Sequence, residues 1–127
     1  MEAPRILNVD DSAHKRELVQ AAVKAVYPGS TIIQRGEPFA AFEDIRRLRE
    51  AIFAVITDDH MLSDFWAAKI AQAAFAAQIQ HVLVYSGSMT HDRLPQGATL
   101  HRRGTPQEDE AAIRNWLLAR QALPRAA

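Results

Sequence analysis

Phe53-Ala54-Val55-Ile56-Thr57-Asp58-Asp59-His60-Met61-Leu62 is an apolar stretch, rich in β-branched residues, that runs straight into two adjacent carboxylates. Such a run reads as a strand buried on both faces, the kind found in parallel sheets covered by helices. Ligands of open α/β sheets bind just outside the carboxyl ends of the strands, so Asp58 and Asp59 fall where chemistry is done. Arg5-Ile6-Leu7-Asn8-Val9-Asp10-Asp11 has the same syntax, apolar residues and then an acidic pair. Two strand ends of this kind predict one shared acidic pocket.

Outward from these two runs the chain alternates strands with helices. Ser12 is placed to cap a helix reaching about Ala25, with Leu18, Val19, Ala22 and Val23 at helical spacing. Tyr27-Pro28-Gly29 breaks it, and Thr31-Ile32-Ile33-Gln34 forms a short strand. Pro38 suits the first helical position, and Phe39, Phe42, Ile45 and Leu48 give the next helix its apolar stripe. After the central run, Ser63 is expected to cap an alanine-rich helix ending near Gln78 that carries Trp66, Ile70 and Phe75. His81 to Tyr85 is a fourth strand ending at Ser86-Gly87-Ser88, and Thr99 to Arg102 a weaker fifth. Thr105-Pro106-Gln107-Glu108 is a capping box opening a last helix to about Ala122, with Ile113, Trp116, Leu117 and Leu118 on its apolar side. This alternation implies a doubly wound α/β fold with a five-stranded parallel sheet. The interval from Gly87 to Thr99 holds Pro95 and Gly97 and barely reaches the dozen or so residues a parallel crossover needs, so mostly loop is expected, with at most a turn near Thr90 to Leu94.

Composition narrows the function classes. The chain has 127 residues, one domain's worth, with a core expected over about residues 5–120 and a tail from 121 to 127. Fifteen basic and fifteen acidic residues balance, which argues against a dedicated nucleic-acid surface. There is no cysteine, so disulfides, thiolate metal sites and cysteine nucleophiles are excluded. The first residues lack the layout of a signal peptide and no apolar run is long enough to span a bilayer; the cytoplasm is the expected location. His14, His81, His91 and His101 have no zinc-site spacing and read as surface or loop residues.

Asp10, Asp11 and Asp58 are expected to converge. Two carboxylates about 4 Å apart repel by roughly 4 kcal/mol at an effective dielectric near 20. A divalent cation that prefers hard oxygen ligands relieves this, and magnesium takes one or two carboxylates while keeping several waters. Such a site suits phosphoryl chemistry, in which a strand-end aspartate becomes the nucleophile. Asp59 reads as an exposed neighbour, and His60 as a residue of the pocket rim.

Ile6-Leu7-Asn8-Val9-Asp10-Asp11-Ser12, Val55-Ile56-Thr57-Asp58-Asp59-His60-Met61 and Val82-Leu83-Val84-Tyr85-Ser86-Gly87 resemble the three corresponding segments of response regulator receiver domains, the CheY-like domains of two-component signalling. The resemblance runs from about Arg5 to Leu118. It implies a flavodoxin-like strand order 2-1-3-4-5. It also implies a phosphoprotein in which Asp58 is the phosphoacceptor, Mg2+ is held by Asp11, Asp58 and the His60 backbone carbonyl, and Asp10 acts through a water. Ser86 is then the hydroxyl that meets a phosphoryl oxygen, and Arg103, with Arg102 as the fallback, stands for the family's lysine at the end of strand five. Implied partners are a histidine kinase or histidine phosphotransfer protein and a downstream protein target, with neither nucleic acid nor membrane. The resemblance also implies that the domain is not an enzyme beyond its own phosphorylation and dephosphorylation.

The chain departs from that pattern at Arg103 for lysine, at Leu100 for the aromatic switch residue, at Leu62 for a proline, and in the short fourth crossover. Those departures support an alternative, a pseudo-receiver that keeps the fold as a protein-binding module with reduced or lost phosphorylation. A haloacid-dehalogenase type of phosphohydrolase is disfavoured because it needs acids two apart after its first strand. A dinucleotide-binding fold lacks its G-x-G-x-x-G.

Overall fold

The computed structural model describes residues 3–88 and 91–121. Thr90, the side chain of His91 and residues 122–127, on which expectations also fell, lie outside the described residues. In chain order the elements are β1 (Arg5–Val9), α1 (Ala13–Val26), β2 (Thr31–Arg35), α2 (Pro38–Leu48), β3 (Ala54–Asp58), β4 (His60–Met61), β5 (Asp64–Phe65), α3 (Ala67–Ala76), β6 (His81–Ser86), β7 (Thr99–Arg102) and α4 (Pro106–Gln121). Short 3-10 turns occupy Arg49–Ala51 and His91–Arg93. The main sheet has five parallel strands in the order β2-β1-β3-β6-β7. Counted along that sheet alone this is the expected 2-1-3-4-5.

Strand alternation divides the core. Leu7, Val9, Val55, Val82 and Val84 face α2 and α3, meeting Ala41, Ile45, Ile70, Ala71 and Ala74. Ile6, Ala54, Ile56, Leu83 and Tyr85 face the opposite way, against Val19, Ala22 and Val23 of α1 and Ile113, Trp116 and Leu117 of α4. The alanines of α3 let that helix sit close to the sheet. Between β6 and β7 the described residues contain only the 3-10 turn at His91–Arg93, the loop-like crossover that the spacing predicts.

Several sequence expectations need correcting. The helix after the central run starts at Ala67 rather than at Ser63. Instead His60-Met61 and Asp64-Phe65 pair as a tight antiparallel hairpin. Leu62 and Ser63 form its turn with φ of 51° and 61°, the positive φ values that a two-residue hairpin loop demands. Two bonds hold the hairpin to the chain that leaves it: Trp66 N–H donates to the Asp59 carbonyl at 2.8 Å, and Trp66 Nε1 to the Met61 carbonyl at 3.0 Å. Trp66 therefore precedes α3, where it packs edge-on against Phe39 and Phe42. Phe39 and Leu118 are exposed, because each lies off the buried face of its helix. His81 and His101 are partly buried: His81 packs against Phe53 and Trp116, and His101 meets the buried Asp109 at 2.9 Å.

Candidate functional site

Side chains along one strand alternate between faces, so Asn8 and Asp10 share the face of Ile6, and Asp58 that of Ala54 and Ile56. Register sets Asn8 beside Ile56 and Asp58 beside Tyr85. Residues far apart in sequence thus meet at one corner of the sheet's carboxyl edge. Carboxylate oxygens of Asp10, Asp11 and Asp58 lie within 4.8 Å of one another. Asp10 is fully buried and Asp58 nearly so, whereas Asp11 is exposed.

The backbone fixes Asp10 firmly. Its N–H donates to the Arg35 carbonyl at 2.9 Å, and its own carbonyl accepts from Arg16 Nη1 at 2.7 Å. The Asp10 Oδ1 atom accepts from Ser12 N–H at 2.9 Å, while Ser12 Oγ caps α1 by accepting from Lys15 N–H. Burial raises the Asp10 pKa above the usual carboxylate range, against the lowering effect of its hydrogen bonds from Tyr85 and Ser12. Burial also raises Asp58, and the charge of Asp10 adds to that; Arg103 opposes both.

Arg103 closes the pocket from β7. Its backbone N–H donates to the Ser86 carbonyl at 3.0 Å, continuing the β6–β7 ladder one residue past the strand. Its Nη2 meets Asp58 Oδ1, and the Asp59 N–H donates to that same oxygen at 2.8 Å. Among the described residues no hydrogen bond engages Asp58 Oδ2. Arg103 Nε is buried without a hydrogen-bond partner, so the guanidinium fork has an N–H in reserve beside the acids. Arg102 points elsewhere and donates to the Gly87 carbonyl at 2.9 Å.

Ser86 is buried at the end of β6, and its Oγ accepts from Ser88 N–H at 3.1 Å. It also lies 3.4 Å from Asp59 Oδ2, which corrects the expectation for Asp59: that residue is buried. Asp59 continues the alternation of Val55 and Thr57, so its side chain turns to the α2–α3 face beneath the hairpin. One of its oxygens, Oδ1, has no partner. His60 is exposed and packs edge-on against Phe65. In the hairpin, His60 and Phe65 form a pair flanked by the bonded Asp59–Trp66 and Met61–Asp64 pairs, so the His60 carbonyl is not consumed by strand pairing. Leu100 is partly buried against the α2–α3 core, an aliphatic side chain fixed by packing.

Two residues of this corner escaped the sequence reading. Tyr85 donates from its hydroxyl to Asp10 Oδ2 at 2.5 Å. Asn8, wholly buried, donates from Nδ2 to the Ile56 carbonyl at 3.0 Å and reaches the Tyr85 hydroxyl at 3.4 Å. The available signal was positional: a polar residue in the middle of a buried strand, and a tyrosine one residue before its polar end.

No family model matches the sequence, and no curated protein does. Solved structures do resemble the fold. A response regulator receiver protein from Sinorhizobium medicae superposes with a TM-score of 0.74 at 19% identity, covering 94% of this chain and 98% of that one. The Mn2+-bound form of response regulator Rcp1 gives 0.73 at 18% identity, covering 98% of this chain and 99% of that one. For the response regulator domain of Thermotoga maritima CheB the values are 0.72 and 16%, with 97% and 100% covered. At such identities the likeness speaks to architecture, and the chain has the fold of the response regulator receiver domains.

Proposed function

We propose that the protein is a receiver domain that accepts a phosphoryl group on Asp58, with a divalent cation, Mg2+ by preference, bound by the neighbouring acids. The observation that carries this is the convergence of Asp10, Asp11 and Asp58 at the carboxyl edge with Arg103 on Asp58. The residues suit such a cation: three hard oxygen donors lie close together, two of them buried and raised in pKa by that burial. Asp11, Asp58 and the His60 carbonyl would hold it directly and Asp10 through a water, as in the resemblance. The manganese of Rcp1 is consistent with this preference for hard ligands. When bound, the cation neutralises charge that builds on the phosphoryl oxygens.

The chain's own residues do the rest. Asp58 Oδ2 forms the new bond to phosphorus as the bond from phosphorus to the donor atom breaks; that atom is the imidazole nitrogen of a phosphohistidine or an acetate oxygen of acetyl phosphate. Arg103 is a charged fork suited to phosphoryl oxygens, and its Nε–H supplies a donor that no protein group uses. Ser86, at the end of the neighbouring strand, offers its hydroxyl to another of the oxygens. Phosphorylation adds roughly −1.5 to −2 charge and three acceptors, which draws both groups inward. Output then runs through binding of a downstream protein, or through onward transfer in a phosphorelay. Histidine kinases or histidine phosphotransfer proteins are the donors in this reading, and the cytoplasm is its setting. Among the described residues no helix is long and apolar enough to cross a membrane.

Incubation with acetyl phosphate and Mg2+ followed by intact-mass spectrometry tests the proposal. The expected result is one phosphoryl adduct on wild type that disappears in Asp58→Asn. No adduct on wild type rejects phosphorylation and favours the second reading, a protein-binding module. Leu100 at the place of the switch aromatic is the observation on that side, since its aliphatic side chain is packed against the core.

A further inference from the structure

Tyr85 lies beneath both halves of the pocket. Its hydroxyl bonds Asp10 Oδ2 at 2.5 Å, and its ring underlies the Arg103 guanidinium, whose central carbon is 5.7 Å from the ring centre. The arrangement follows from the sheet. Tyr85 is the register partner of Asp58 on one side and of His101 on the other, and Arg103 lies two residues past His101 on the same face. Asn8 reaches the hydroxyl from β1 at 3.4 Å, which turns the hydroxyl proton toward Asp10. With Ser12 N–H on Oδ1 and Tyr85 on Oδ2, both Asp10 oxygens are held, and the carboxylate plane is fixed. Every partner in this network is buried or partly buried, so water does not substitute for a lost contact without rearrangement.

We infer that Tyr85 is a positioning residue for the cation site: its hydroxyl orients Asp10, and its ring supports the arginine that faces Asp58. This rests on the cation reading above and adds to it a residue that touches neither cation nor phosphoryl group. Partners that orient directly ligating groups from behind are worth about 10- to 100-fold in metal affinity, and Asp10, one water removed from the cation, sets the expectation at the low end of that range. Tyr85→Phe removes the hydroxyl and keeps the ring, so it isolates the bond to Asp10.

Calorimetric titration of the full chain with Mg2+ tests this, together with proton NMR of the wild-type hydroxyl. Tyr85→Phe, folded by circular dichroism, is expected to bind Mg2+ about tenfold more weakly than wild type. The Tyr85 hydroxyl proton, shielded from exchange by burial, is expected to shift when Mg2+ is added, because the bond it donates to Asp10 responds to charge placed beside that carboxylate. An unchanged affinity in Tyr85→Phe overturns the inference, as does a hydroxyl resonance indifferent to Mg2+ that does bind. If Tyr85→Phe fails to fold, the wild-type resonance decides alone. Wild type that binds no Mg2+ rejects the cation reading itself, and that outcome is distinct from the other two.

Discussion

Replacing Asp10 by asparagine is expected to stabilise the protein while it damages the site. Oxygens of Asp10 and Asp58 lie within 4.8 Å. At an effective dielectric near 20, two unit charges at that separation repel by roughly 3.5 kcal/mol. The substitution removes this repulsion and the cost of burying a charge. Against the gain stands the charge-assisted bond from Tyr85, worth about 1.5–3 kcal/mol. Ser12 N–H keeps its acceptor, since asparagine retains a side-chain oxygen. The net is a gain of about 0.5–2 kcal/mol, which for a chain this long raises Tm by about 2–8 °C.

Dependence on pH separates this account from an accidental improvement in packing. The pKa values of Asp10 and Asp58 are raised above 3.8 in the folded state, so the folded chain binds their protons more tightly than the unfolded chain does. Stability from these groups is therefore fully present below 3.8 and is lost as pH rises through the folded values. Wild type without divalent cations should gain stability on acidification from neutral pH toward that window, and Asp10→Asn should show a flatter slope. Mg2+ should stabilise wild type by mass action and Asp10→Asn much less, so the order of the two proteins narrows or inverts as Mg2+ rises. Thermal melts at several pH values, with EDTA and with Mg2+, measure all of this. A variant that melts below wild type in EDTA, or keeps the wild-type pH slope, refutes the charge-repulsion account.

Two other substitutions probe neighbouring parts of the same edge. Arg103→Ala leaves Asp58 among carboxylates without its cation. Because the Arg103 side chain is 31% exposed, the expected loss is about 1–2 kcal/mol in urea unfolding, below that of a fully buried pair, and Arg103→Lys should recover most of it. An Arg103→Ala protein as stable as wild type would remove the pair from any stabilising role. At the hairpin, Leu62→Asn with Ser63→Gly puts residues tolerant of positive φ where leucine and serine now sit at 51° and 61°. Leu62 is exposed, so little burial is lost, and Tm should rise by an amount corresponding to about 1–2 kcal/mol; a fall in Tm would show that the turn carries no strain.

How much of this site the sequence discloses depends on whether one strand suffices to place a residue. Asp10, Asp58 and Ser86 each end an apolar run, and the rule that ligands bind at carboxyl ends brings them together without knowledge of side-chain direction. Thr105 to Glu108 announces α4 for a similar reason, because capping is local: Thr105 N–H donates to Glu108 Oε1 at 3.0 Å and Glu108 N–H to Thr105 Oγ1 at 3.2 Å. The hairpin was hidden because neither Leu62 nor Ser63 advertises a positive-φ turn, and tertiary contacts such as Trp66 to the Met61 carbonyl hold it instead. Asp59 needed one further step. Its parity with Val55 and Thr57 sends it inward, but only if the strand's alternation continues past Asp58, which the hairpin and Ser86 make possible. Tyr85 needed the register of its neighbours on both sides at once, since it meets Asp10 across β3 and Arg103 just past the end of the adjacent β7. The resemblance to receiver domains supplied the separate roles of the acids, the role of Ser86 and the choice of Arg103. The buried tyrosine behind the first acid carries no such local signal, because only the sheet, which sets β1 two strands from β6, brings its hydroxyl to Asp10.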